Sequence, residues 1–88
     1  MPIISQFYGI IIKIFYNDKD KHHTQHIHVE YREYEASFDF NGNIIVGNLP
    51  TKQKKMVEAW ILIHQDELKA LWKMLNETGE YFKIDPLK

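Results

Sequence analysis

The residues most able to do chemistry lie in Lys21-His22-His23-Thr24-Gln25-His26-Ile27-His28-Val29-Glu30-Tyr31, which holds four of the five histidines. On a strand, side chains alternate, so His26, His28 and Glu30 share one face while Ile27, Val29 and Tyr31 share the other. If Arg32-Glu33 is a tight connection, Tyr31 faces Tyr34, Val29 faces Ala36 and Ile27 faces Phe38. The same register sets His28 across from Ser37, His26 across from Asp39 and Glu30 across from Glu35. A carboxylate beside an imidazole raises its basicity and orients the ring, as acid–base catalysis and metal second shells both require. The like-charged Glu30 and Glu35 cost stability unless a cation, Arg32 being one candidate, lies between them.

Three chemistries compete for this face. An H-x-H on a strand aims two imidazoles at one point, a spacing a divalent metal such as zinc can use. His26, His28 and Asp39 are the candidate ligands, with Glu30, His22 or His23 available to complete the set. The same groups suit metal-free cleavage of RNA, with one histidine removing a 2′-hydroxyl proton and a second group protonating the leaving oxygen. His26, His28, Asp39, Glu30 and Tyr31 are the candidates there, and Lys21, Arg32 or Lys13 would offset phosphate charge. The third reading is structural: polar side chains on the outer face of an antiparallel sheet, satisfied by Ser37 and Asp39. His64 falls on an apolar helical stripe and reads as a half-buried, satisfied histidine. With no cysteine and only Ser5 and Ser37 there is no nucleophile motif, and no glycine loop cradles phosphate.

The elements that must position these groups fall into a β-rich front and a helical back. Gly9 to Tyr16 reads as a strand apolar on both faces, either central and covered on both sides or with its second face covered by another chain. His26–Tyr31, Tyr34–Phe40 and a short Ile44–Val46 come next. Leu49-Pro50-Thr51 is a helix start with Thr51 as cap. Val57, Trp60, Ile61, His64, Leu68, Leu71, Trp72 and Leu75 then recur at helical spacing, both tryptophans facing the core, and Gly79 supplies the stop. One helix over this span would be roughly 40 Å long, so a break is expected near Gln65-Asp66, with Asp66 capping a second helix. Tyr81, Phe82 and Ile84 suggest an extended tail lying back on the body. The expectation is an α+β domain, an antiparallel sheet of three to four strands packed on one face by one or two C-terminal helices.

Composition narrows the function classes. The 88 residues are 44% hydrophobic and 26% charged, with 11 Lys and Arg against 12 Asp and Glu. A chain this size supports one core. No run approaches the roughly 20 apolar residues of a membrane span, no signal peptide is evident, and the absence of cysteine suits a cytoplasmic protein. Duplex binding normally shows a basic excess, which is missing. Lys52, Lys54 and Lys55 nevertheless form a local basic cluster that, with Arg32, makes the candidate nucleic-acid contact.

Met1-Pro2-x-Ile4-Ser5-x-Phe7-x-Gly9-Ile10-x-Ile12, Tyr16-Asn17-Asp18, His26-x-His28-Val29-x-Tyr31 and Glu33-Tyr34-x-Ala36, continuing through Gly47-x-Leu49-Pro50, Trp60, His64 and Trp72 to Ile84-x-Pro86-Leu87, resemble a small bacterial family catalogued as domain of unknown function 4160. That family carries a proline-rich approach to the H-x-H and a glycine where Arg32 stands. The resemblance implies a product of a short operon paired with a second small protein, an arrangement similar to toxin–antitoxin modules. It therefore implies a co-encoded protein partner, and either a toxin acting on RNA or a component of an autoregulatory complex; the doubly apolar Gly9 to Tyr16 strand separately suggests a homodimer or hetero-complex.

Overall fold

The computed structural model describes residues 2–14 and 25–88. Five strands, β1 (Ile3–Phe7), β2 (Ile10–Ile14), β3 (His26–Tyr31), β4 (Tyr34–Asp39) and β5 (Ile44–Gly47), precede two helices, α1 (Thr51–Ile63) and α2 (Gln65–Thr78). The strands form one antiparallel meander in the order β1-β2-β3-β4-β5. The α+β class is as expected, but the sheet is larger than three to four strands. The long N-terminal strand is one arm of a hairpin, because Tyr8-Gly9 folds back in left-handed conformation (φ 50° and 79°) and Ile3–Phe7 pairs antiparallel with β2. Phe15, Tyr16, Lys21, His22 and His23 lie outside the described residues.

Alternation sorts the strand side chains cleanly. Ile10, Ile12, Ile14, Ile27, Val29, Ala36 and Phe38 turn to one face and are buried against Val57, Trp60, Ile61, Leu68, Leu71 and Leu75 from the helices. β5 is irregular, with an extra residue where Ile44 pairs with Phe38 and Val46 with Ser37. Gly47 ends it at φ +85°, and a Cβ there would lie 2.2 Å from the Glu35 carbonyl oxygen, so only glycine lets β5 lie against β4.

The helical half breaks one residue earlier than expected. The His64 N–H donates to Trp60 O at 3.0 Å to close α1, and its own carbonyl accepts from Leu68 N at 2.9 Å to open α2. His64 Nδ1 lies 2.6 Å from Glu67 Oε1 with the side chain 13% exposed, the half-buried and satisfied state expected of it. Asp66 makes no cap hydrogen bond and sits in the first turn beside Glu67, where negative charge suits the helix dipole. Thr51 is likewise not a cap: Pro50 takes that position and its carbonyl accepts from Lys54 N, so Thr51 is already helical. The left-handed Gly79 (φ 76°) ends α2. Gln65 fastens the helix corner to the sheet through Phe40 O at 2.8 Å.

Trp60 is fully buried and Trp72 half-buried. The tail lies back on the body as expected, Ile84 N donating to Ile4 O at 2.8 Å beside β1 and Trp60 Nε1 donating to Asp85 O at 2.8 Å. A 34 Å longest dimension confirms that one unbroken helix would not fit.

Candidate functional site

The histidine strand takes the register that a two-residue Arg32-Glu33 turn dictates. His26 pairs with Asp39, His28 with Ser37, Glu30 with Glu35 and Tyr31 with Tyr34. On its other side β3 pairs with β2, setting His28 beside Lys13 and Glu30 beside Ile11. Combining the registers gives two rows across the face turned away from the helices. One runs Ile3, Lys13, His28, Ser37, Val46, and the other Gln6, Ile11, Glu30, Glu35. No element among the described residues covers these rows.

The cation demanded by the Glu30–Glu35 pair comes from β2. Lys13 Nζ lies 2.5 Å from Glu30 Oε2, with the two side chains 24% and 29% exposed. Glu30 Oε2 has no hydrogen bond of acceptable geometry, but a lysine at this distance is an ion pair whatever the angle, so the charge is compensated. Lys13 is thereby committed to the sheet.

Asp39 is engaged at the turn that succeeds it. Its Oδ1 accepts from the backbone N–H of Asn41 at 2.9 Å and of Asn43 at 3.0 Å, an Asx arrangement that shapes the Asn41-Gly42-Asn43 reversal. His26, opposite it, is half-buried and its ring lies 5.7 Å from that of Trp72. Trp72 in turn meets Phe40 edge-on at 6.0 Å.

The remaining candidates lie elsewhere. Tyr31 turns to the helix-covered side and packs on the core margin, with the Arg32 guanidinium 5.2 Å from its ring centre, so it does not join His28 and Glu30. Lys52, Lys54 and Lys55 belong to the first turns of α1, away from the two rows. Among the described residues no three His, Cys, Asp or Glu side chains are grouped to hold a metal ion, His26, His28 and Asp39 included. The histidines that would extend that set, His22 and His23, lie outside the described residues.

Three concavities adjoin these features. One of about 140 Å³ sits between β4 and β5, lined by His28, Glu35, Ala36, Ser37, Val46 and Gly47. A second, about 340 Å³, involves Gln25, Asp39, Phe40, Asn41 and Lys69. The largest of the three, about 370 Å³, lies between β1 and the tail and has no histidine in its lining. None is an enclosed cleft around converging titratable groups.

Reading the sequence alone misses Lys13 as the partner of Glu30, because eleven residues separate Ile14 from His26 and no turn signal sets the β2–β3 register. It also misses β1, whose only signal is an X-Gly pair between two apolar runs. No helix among the described residues is long and apolar enough to cross a membrane.

Residues 9–73 match the family model described as Domain of unknown function (DUF4160), leaving the first strand, the end of α2 and the tail outside the match. No curated protein and no solved structure shows a significant match.

Proposed function

The chain belongs to the DUF4160 family, and from that premise we propose that it is the interaction component of a small toxin–antitoxin-like operon. It binds a co-encoded protein through the open face of its sheet. The observation that carries this reading is the pair of cross-sheet rows, a face left uncovered by the described residues in which Ile3, Ile11 and Val46 lie around the Lys13–Glu30 ion pair. Interfaces combine an apolar patch with a polar, solvent-accessible rim. Ile11 and Lys13 are both half-buried in the isolated chain.

Co-expression with the neighbouring open reading frame tests this directly. The two proteins should co-elute as one species of defined mass, and Ile11→Lys or Ser37→Arg should separate them. Elution as separate species at micromolar concentration overturns the reading.

A second reading, acid–base cleavage of RNA by His26 and His28, draws support from the His26–Asp39 register. It requires cleavage of RNA by the purified chain and loss of that cleavage in His26→Ala/His28→Ala with the fold intact. Undiminished cleavage by the double variant removes it.

A further inference from the structure

In a five-stranded meander, β1, β3 and β5 run in the same direction, so the segments that leave them gather at one end of the sheet. Those segments are the Tyr8-Gly9 turn, the Arg32-Glu33 turn and the connection into α1. The first two are in contact, since a Cβ on Gly9 would lie 3.4 Å from Tyr31 Cε1. The third is tied alongside, Asn48 N donating to Glu35 O at 3.0 Å. One end of the molecule thus carries Tyr8, Tyr31, Arg32, Lys52, Lys54 and Lys55.

Two features separate this end from ordinary solvated surface. Both non-glycine residues with positive φ among the described residues are here, Tyr8 at 50° and Arg32 at 53°. The tyrosine is 60% exposed, whereas the arginine stacks on Tyr31 at 5.2 Å. Glycine would take either backbone without strain, so this chain accepts a strained conformation in exchange for an exposed ring and for a guanidinium fixed over a second one. In addition, no carboxylate among the described residues pairs with Arg32, Lys52, Lys54 or Lys55, and Glu33 is the one acidic side chain on either turn.

We propose that this end of the sheet binds single-stranded nucleic acid, with Tyr8 and the Tyr31–Arg32 stack receiving bases and the three lysines following the backbone. Stacking surfaces beside unpaired cations are the two elements such sites combine. The end spans about 19 Å from β1 to β5 at the usual strand spacing, enough for a short site of about four nucleotides. The even overall charge argues against duplex binding and not against a short strand held by stacking. The surface is distinct from the open sheet face, so the inference stands apart from the protein-binding reading.

Fluorescence anisotropy with labelled oligouridine and oligothymidine of about eight nucleotides tests it on the full chain. Binding should fall with salt, with a log–log slope near −3 for four cations at about −0.7 each. Arg32→Gly should flatten the slope by about 0.7 and Lys52→Gln/Lys54→Gln/Lys55→Gln by about 2. Tyr8→Asn, which retains a residue tolerant of positive φ, should weaken binding roughly tenfold. Arg32→Gly should also melt at or above the wild-type temperature, separating lost contact from lost fold. Tighter binding of either oligonucleotide identifies RNA or DNA as the ligand. No binding at low salt, or variants that bind like wild type, overturns the proposal. So does loss of a protein partner in these variants with oligonucleotide binding unchanged.

Discussion

Gly47→Ala tests the packing of the sheet most sharply. The new Cβ would stand 2.2 Å from Glu35 O and 2.8 Å from Ala36 Cα, both backbone atoms that no rotamer change can move. Two costs add. Holding alanine at φ +85° costs about 1–2 kcal/mol, and forcing β5 away from β4 adds about 1–3 kcal/mol, as overpacking does. The total, about 2–5 kcal/mol, is a large part of the roughly 4–13 kcal/mol expected of 88 residues. Gly79→Ala is the matched control, because Gly79 also has positive φ (76°) but nothing lies within 4 Å of its Cβ position. It should cost about 1 kcal/mol. Urea unfolding followed by far-ultraviolet circular dichroism measures both. At about 4–8 °C per kcal/mol, the melting temperature of Gly47→Ala should lie roughly 4–30 °C below that of Gly79→Ala. Equal losses would refute the close approach of β5 to β4 and with it the placement of Val46 in the open-face row.

Other substitutions probe single contacts. Ser5 is buried with no hydrogen-bond partner for its Oγ among the described residues, so Ser5→Ala should leave stability unchanged or raise it by up to about 1 kcal/mol in urea titration. Removing Lys13 leaves Glu30 facing Glu35 uncompensated. A double-mutant cycle of Lys13→Met and Glu30→Gln should give a coupling of about 1 kcal/mol, measured by chemical unfolding. Trp60→Phe keeps the buried ring but loses the Nε1–H bond to Asp85 O; about 1 kcal/mol should be lost, with faster amide exchange at Ile84 as the tail loosens from β1.

The sequence reveals the β3–β4 hairpin almost completely. A two-residue turn leaves one register that buries Ile27, Val29, Ala36 and Phe38 together, and every cross-strand pair results from it. The helix corner is legible to within one residue, because apolar spacing fixes the stripe while the turn geometry at His64 depends on contacts with the sheet. What sequence hides is pairing across long connections. Nothing in the residues between Ile14 and His26 says that Lys13 will meet Glu30. The candidate site suffers most from this. Side-chain alternation already divides Tyr31 from His28, yet the gathering of Tyr8, Arg32 and the α1 lysines at one end appears only once all five strands are known to form a meander.

Titrating the unlabelled co-encoded protein into the isotope-labelled chain, with amide resonances followed, shows whether the open sheet face is the protein-binding surface. The largest shifts should fall on Ile11, Lys13, His28, Glu30, Ser37 and Val46, with Lys69 and Lys73 on exposed positions of α2 unchanged. Shifts concentrated on the helices, or none at concentrations where both proteins are well folded, would contradict that reading.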